Sequence, residues 1–243
     1  MTEGAWRHSL PLGITAKPWR EHLDDIRFLV FGRALPAVFF GYIGYRVLRN
    51  LVDGANIVFA NVTAIGVLAL VPVVVYFAFC TIPVGIYLTR PRARARDGRL
   101  IARAAGLVGT TLLLWLGILG GPVLYETPVA LFVVDSVLTT LAFIVAIWGL
   151  LTLRRNLSIM PEARRLVTAG PYRFVRHPLY ATEILTALAL VSAHPTLWAV
   201  VGVVPFAALQ LLRARFEERL LRGTFAEYHS YAERTRRMVP AIW

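Results

Sequence analysis

Apolar runs of about the length needed to cross a bilayer recur along this chain, and they constrain its fold more than any other feature. A membrane-spanning helix needs about 20 mostly apolar residues. Five runs meet that requirement, at 28–48, 57–88, 104–124, 129–151 and 178–212. Only 16% of all residues are charged, whereas a soluble domain carries about 25%. The sequence therefore predicts an all-α integral membrane protein.

Two of these runs are too long for a single perpendicular span. In the run 57–88, Pro72 and Pro83 predict a tilted or kinked helix. The last run is interrupted by the polar segment Ser192-Ala-His194-Pro195, so it is interpreted as two spans, at about 179–193 and 196–215. About six transmembrane helices follow, with five as the nearest alternative.

The net charge of +12 is concentrated in loops on one predicted side of the membrane. Arginines fill the segments 90–103 and 154–176, whereas 120–128 has no basic residue. The positive-inside rule then places both termini and the arginine-rich loops in the cytoplasm, with Arg46 and Arg49 as a mild violation at the outer end of the first helix. The charge indicates contact with anionic membrane lipids rather than with nucleic acid. The predicted location is a bacterial inner membrane.

The chain is predicted to divide into three regions. Residues 1–27 form a cytoplasmic N-terminal lead-in that lies on the membrane surface, and 28–153 form a scaffold of four helices. Residues 154–243 contain the polar motifs, a terminal helical hairpin and a cytoplasmic tail. The lone Cys80 is interpreted as a small buried hydrophobe. No cluster of His, Cys and Asp has the spacing of metal ligands, so no metal is implied.

Two polar clusters flank the terminal hairpin. The first, over 166–180, reads L-V-T-A-G-P-Y-R-F-V-R-H-P-L-Y; the second contains Arg213-x-x-x-Glu217-Glu218 and Glu227-Tyr228-x-x-Tyr231. Polar groups at the ends of apolar helices are costly beside lipid, so they indicate a site at the membrane surface. The simpler alternative is a set of headgroup-anchoring residues, an aromatic belt and a helix-end salt bridge.

Helical spacing gives these clusters a local geometry. His177 and Tyr180 share a face if a helix begins near Pro178, because Pro is favoured in a first turn. The free N–H groups of that turn can bind an anionic carboxylate. Arg213 and Glu217 are spaced to pair along one helix face. Gly170 and Pro171 predict a turn.

The two clusters, in this order and at this separation, resemble the isoprenylcysteine carboxyl methyltransferase family and the related phospholipid N-methyltransferases. The resemblance covers roughly residues 156–240, and the part before it matches only as apolar helices. Three positions depart from the family pattern: Arg164 where a His is frequent, Ala226 after Phe225 where Gly is usual, and Glu183 where a small or apolar residue is usual. These departures weaken the assignment of the acceptor more than that of the cofactor.

The resemblance implies S-adenosyl-L-methionine as the cofactor and assigns roles to individual residues. Arg213 and Glu217 are the predicted catalytic residues, and Arg213 is the predicted acceptor contact. Glu183 is a second predicted acceptor contact because it lies one helical turn after Tyr180 on the same face, not because of the resemblance. Glu218 is expected to orient Arg213 or the tail. The predicted cofactor contacts are Leu166, Val167, Tyr172, Arg176, His177, Pro178, Leu179, Tyr180 and Glu217.

The sequence thus predicts an S-adenosylmethionine-dependent membrane methyltransferase that acts on a lipophilic or small acceptor, which is a carboxylate, an amine or a thiol. One alternative is an NADPH-dependent sterol-type reductase, because such membrane enzymes carry a similar C-terminal motif. Another is a non-catalytic membrane binding protein. Asp135, early in the fourth span, is expected to be a headgroup-level residue or a polar staple between helices.

Overall fold

A computed structural model describes residues 19–119 and 121–239. Helix α1 (Trp19–Arg27) continues through a π-helical segment, Phe28–Ala34, into α2 (Leu35–Ala60). The remaining helices are α3 (Ala64–Thr89), α4 (Leu100–Leu119), α5 (Val129–Leu153), α6 (Pro178–Ala193), α7 (Leu197–Thr224) and α8 (Tyr228–Arg234). The two short strands β1 (Ala95–Arg96) and β2 (Glu162–Ala163) pair antiparallel.

The prediction of an all-α membrane architecture is confirmed. Within residues 19–119 and 121–239, four helical stretches are long and apolar enough to cross a bilayer, namely Leu23–Ala60, α3, Val129–Asn156 and α7. Two shorter apolar helices, Leu100–Leu112 and α6, account for the other two predicted spans. The six apolar helices agree with the sequence interpretation, while the number that fully cross the membrane stays a prediction.

The helices pack in an order that differs from their order in the chain. α2 packs against α3, α3 against α5, and α5 against α6. α4 directly follows α3 in sequence, but it packs mainly against α7, which also contacts α6. Residues of both α3 and α4 line an internal cavity of the bundle.

The first hairpin lies later in the chain than predicted. α2 continues to Ala60, and α3 begins only at Ala64, after Thr63 accepts a hydrogen bond from the Gly66 N–H at 3.0 Å. The predicted boundary near Leu48 was wrong because Arg49–Asn56 lacks proline and continues the helix. Arg46 and Arg49 therefore lie within α2 rather than at its end.

The terminal hairpin agrees with the sequence interpretation. α6 ends at Ala193, and Thr196 caps α7 by accepting from the Ala199 N–H. α6 begins at Pro178, as the first-turn preference for proline predicts. Gly170 adopts φ +58°, a left-handed conformation that favours glycine and makes the predicted turn. Its missing side chain also allows close contact with Thr152.

Glu162 organises the loops at the end of the bundle where α3 ends and α6 begins. Its carboxylate lies 2.6 Å from Arg164 Nη2, 3.5 Å from Arg90 Nη1 and 3.2 Å from Arg96 Nε. Burial alone would raise the pKa of Glu162, but the Arg164 and Arg90 guanidinium groups outweigh burial and lower the pKa. Arg164, the departure from the family pattern, thus stabilises the β1–β2 loop pair.

The predicted lead-in is only partly described. Residues 1–18 lie outside the described part of the chain, and Trp19–Arg27 is a helix that leads without a break into the first membrane segment. The division into regions at 27 and 153 stays a prediction.

Candidate active site

The start of α6 presents two of the predicted cofactor residues on one face. The rings of His177 and Tyr180 stack, with centroids 5.5 Å apart and an interplanar angle of 15°. His177 is buried. Its Nε2 lies 3.1 Å from Glu218 Oε1, and its Nδ1 lies 3.8 Å from Glu217 Oε2. The predicted sharing of a helix face by His177 and Tyr180 is confirmed, and both residues contact the glutamate pair of α7.

The adjacent residues Glu217 and Glu218 have different environments. Glu217 accepts a hydrogen bond from the Tyr180 hydroxyl at 3.0 Å, and 35% of its side chain is exposed. Glu218 keeps only 3% of its side chain exposed. Of these two carboxylates, Glu217 therefore retains free acceptor capacity for a ligand.

Glu218 holds the C-terminal tail against the start of α6. Its carboxylate binds Arg176 Nε at 3.0 Å, Arg237 Nη2 at 2.9 Å and Arg222 Nη2 at 3.4 Å, besides the contact with His177. The predicted role of Glu218 in orienting the tail is confirmed, whereas its alternative partner Arg213 binds elsewhere.

Backbone contacts reinforce this attachment of the tail. Arg176 donates through Nη1 to the carbonyls of Ala232 and Thr235. The N–H groups of Arg176 and His177 donate to the carbonyls of Arg236 and Arg237 at 2.8 and 2.9 Å. The structure thus places Arg176 as a tail anchor, and a direct contact with the cofactor stays a prediction.

Arg213 pairs with Gln210 along α7 and faces Glu183 and Tyr180 of α6. Its Nη1 lies 2.7 Å from Gln210 Oε1 and 3.5 Å from Glu183 Oε2, and its guanidinium lies 4.7 Å from the centroid of the Tyr180 ring. The predicted Arg213–Glu217 pair was wrong, because Glu217 turns toward Tyr180 while Arg213 finds a closer carboxylate on the facing helix. Both predicted acceptor residues, Arg213 and Glu183, are brought together.

A cavity of about 490 Å³ extends from this pair into the bundle. Its wall is mainly apolar and includes residues of α2 to α7. Buried side-chain atoms that have no hydrogen-bond partner in the described part of the chain are concentrated there: Asp135 Oδ2, Glu183 Oε2, Thr186 Oγ1 and Arg213 Nε all belong to its lining residues. Buried polar groups are ordinarily satisfied, so this concentration indicates a binding cavity.

The other predicted cofactor residues lie around the same end of the bundle. Leu166 and Val167 are partly exposed in the segment before the Gly170 turn, and Pro178 is buried at the first position of α6. Leu179 contacts Gly149 of α5 and lines the cavity. Tyr172 is buried, its carbonyl accepts from the Tyr231 hydroxyl at 2.6 Å, and burial raises its pKa well above 10. Cofactor contact by each of them stays a prediction.

Gln210 and Gly109 were not identified from the sequence. Gln210 is fully buried, donates to the Gly109 carbonyl at 3.2 Å and accepts from Arg213. An amide within an apolar helix, one turn before a buried arginine, was the available signal. Gly109 carries no chemical signal, because its role is to leave space for the Arg213 side chain.

Replacing Gly109 by alanine tests how closely Arg213 must be positioned. A Cβ at Gly109 would lie 2.7 Å from Arg213 Cδ, so the flexible arginine must shift. We expect Gly109→Ala to lower the methyl transfer that the resemblance implies by about 100-fold, since displacements of about 1 Å have effects of that size. Gly85→Ala is the control, because nothing lies within 4 Å of its added Cβ. Equal activity in both variants, measured at equal folded protein, would contradict the role of Arg213.

Among the described residues, no group of three or more His, Cys, Asp or Glu side chains has the arrangement of a metal site.

The fold and the polar cluster define a class of membrane protein with a helical scaffold, a motif-bearing terminal hairpin and an internal cavity. Residues 128–228 match the family model described as phospholipid methyltransferase, so this segment carries a domain of that family. The resemblance predicted from the two motif clusters is confirmed for this part of the chain.

Two curated relatives are similar over parts of the chain. One is the cobalt-zinc-cadmium resistance protein CzcN of Cupriavidus metallidurans, which is 39% identical over 32% of this chain and 36% of its own length. The other is the nickel-cobalt-cadmium resistance protein NccN of Alcaligenes xylosoxydans xylosoxydans, 31% identical over 46% of this chain and 51% of its own length. The chain therefore matches about one third and one half of these relatives.

Proposed function

We propose that the protein is an S-adenosylmethionine-dependent membrane methyltransferase whose acceptor occupies the internal cavity. The observation that carries this proposal is the placement of Glu183 and Arg213. Both line the cavity, and Arg213 stacks on Tyr180, which belongs to the motif cluster. The match of residues 128–228 to a methyltransferase family supports the reaction class.

The residues at the start of α6 fit the polar groups of this cofactor. Glu217 has free acceptor capacity for an ammonium group or ribose hydroxyls, and the first-turn N–H groups of α6 can bind a carboxylate. Tyr180 orients Glu217 through its 3.0 Å hydrogen bond. When bound, S-adenosylmethionine supplies a methyl group on a sulfonium sulfur, which becomes a neutral thioether after transfer.

Glu183 and Arg213 determine which chemical group of an acceptor can be methylated in the cavity. A carboxylate acceptor would form a methyl ester without losing a proton, and Arg213 would hold it. An amine or thiol would form its new bond to the methyl carbon and lose a proton, for which Glu183 is the available base. The 3.5 Å Glu183–Arg213 pair favours the amine or thiol, because an incoming carboxylate would compete with Glu183 for the guanidinium.

Methyl transfer to endogenous lipophilic compounds tests this proposal. Membranes containing the protein are incubated with cofactor labelled on the methyl group, and the organic extract is counted and analysed by mass spectrometry. We expect labelled product that is absent for Glu183→Gln and present for Asp53→Asn, which changes an exposed carboxylate of α2. Extracts with no protein-dependent label under these conditions would contradict the proposed activity.

We also propose that the Glu218-bound tail and the loop 90–99 face the cytoplasm. The arginine bias supports this orientation. A reporter fused after Trp243 or inserted near Gly98 should read as cytoplasmic, and one inserted near Glu126 as external. Reporters with the opposite pattern would place the motif cluster in a compartment that lacks the cofactor, and would contradict both the orientation and the enzyme assignment.

A further inference from the structure

The cavity has a second polar end that the proposed methyl transfer does not use. Along α6 its lining residues are Leu179, Glu183, Thr186, Ala189, Leu190 and Ala193. At a rise of about 1.5 Å per residue, this stripe extends over about 20 Å. A volume of about 490 Å³ spread over that length forms a narrow space suited to an extended chain.

Asp135 lies toward the end of the cavity remote from Arg213. Gly149 of α5 packs on Leu179 of the antiparallel helix α6, which sets a common level for the two helices. Asp135 lies fourteen residues before Gly149, and Glu183 four residues after Leu179, so both are displaced in the same direction from that level. With a rise of about 1.5 Å per residue, the two carboxylates are on the order of 10–15 Å apart along the bundle.

Asp135 is buried without a compensating partner. It is 5% exposed and lines the cavity, and its Oδ2 has no hydrogen-bond partner among the described residues. An unpaired buried carboxylate is costly. Glu183 differs because Arg213 already neutralises it. Ser136, Thr139 and His194 also line the cavity, but Asp135 Oδ2 accepts no hydrogen bond from any described residue, so this oxygen is open to a donor on a ligand.

We infer that Asp135 binds a protonated amine at the end of the acceptor remote from the methylated group. This inference rests on the proposed function, since it takes the cavity as the acceptor site, and it narrows the acceptor class. The acceptor is an elongated amphiphile with a methyl-accepting group beside Glu183 and Arg213, an apolar middle, and an ammonium group beside Asp135. An ammonium group donates a charge-assisted hydrogen bond to Asp135 Oδ2, which is stronger than the bond that a hydroxyl group donates.

Matched thiol probes test this inference by binding alone, without cofactor. Alkane-1-thiols of ten to fourteen carbons are used with a methyl, hydroxyl or ammonium group at the far end. Calorimetry on protein in lipid nanodiscs gives the affinity of each probe for the wild type, Asp135→Asn and Asp53→Asn. Each probe partitions equally into the three preparations, so the comparison between variants isolates the effect of Asp135.

We expect the far-end ammonium to increase affinity at least about tenfold over the methyl probe, as for a hydrogen bond between charged groups. Asp135→Asn should remove most of this gain and Asp53→Asn should retain it. Equal binding of the hydroxyl and ammonium probes, or a full ammonium gain in Asp135→Asn, would overturn the inference. Should Asp135→Asn fail to fold, Asp135→Glu shifts the carboxylate and should move the preferred probe to a shorter chain, and an unchanged optimum would overturn it.

Failure of this inference can be distinguished from failure of the proposed function. Loss of the ammonium preference with intact cofactor binding and methyl transfer would leave the enzyme assignment standing. Conversely, if the protein prefers the ammonium probe but binds no cofactor, Asp135 remains a ligand site and the assignment as a methyltransferase is contradicted.

Discussion

Glu218→Gln is expected to destabilise the protein by about 3–5 kcal/mol, the range for breaking a buried ion pair. The Glu218 carboxylate is almost fully buried. It is hydrogen-bonded to Arg176, Arg222 and Arg237 as well as to His177. A neutral amide removes the negative charge that faces the three guanidinium groups. The tail should detach from the start of α6 and cofactor affinity should fall with it. The measurement is thermal unfolding in detergent, together with protease sensitivity of the tail.

Glu217→Gln is the matched control for this prediction. It changes the neighbouring carboxylate, which is 35% exposed and has the Tyr180 hydroxyl as its hydrogen-bond donor. We expect thermal unfolding close to the wild type and an intact tail. Equal destabilisation by the two variants would contradict the assignment of Glu218 as the structural carboxylate and Glu217 as the ligand-facing one.

Arg213→Lys is expected to lower methyl transfer by about 100-fold or more while cofactor affinity stays within a few-fold of the wild type. Lysine retains a charge beside Glu183, but it lacks the planar fork that joins Glu183, Gln210 and the Tyr180 ring. An acceptor that is no longer aligned with the methyl group loses most of its rate. Single-turnover transfer and calorimetry, performed on the same preparation, separate the two effects.

Glu217→Gln should show the opposite division between binding and transfer. The loss of one charged hydrogen bond, worth about 1.5–3 kcal/mol, weakens cofactor binding by about 10–100-fold. Transfer at saturating cofactor should decline much less. If Arg213→Lys weakened cofactor binding as strongly as Glu217→Gln, the division between acceptor and cofactor residues would be wrong.

The sequence determines the scaffold well because hydrophobic length and proline position are local properties. The break at Ser192–Pro195 and the start of α6 at Pro178 follow directly from them. The boundary between α2 and α3 does not, since Arg49–Asn56 is polar and contains Gly54, as a loop would, yet it lacks proline and stays helical. Polar residues also occur on the exposed surface of a helix. Composition alone therefore cannot distinguish a polar loop from the polar surface of α2.

The side-chain partners at the site depend on which helices face each other. Spacing along α7 allowed Arg213 to pair with Glu217, but the approach of α6 supplies Glu183 as a closer partner and Tyr180 as a donor to Glu217. The contact between Gly109 and Arg213 likewise requires α4 to pack on α7 rather than on α3. No local pattern encodes these contacts between helices distant in sequence.

Calorimetry of cofactor binding to detergent-purified protein tests the central claim most directly. S-adenosylmethionine, S-adenosylhomocysteine and NADPH are titrated separately into a preparation that unfolds cooperatively on heating. The account predicts that S-adenosylmethionine or S-adenosylhomocysteine binds and that NADPH does not. A folded preparation that binds NADPH and neither of the other two would contradict the methyltransferase and favour a membrane reductase.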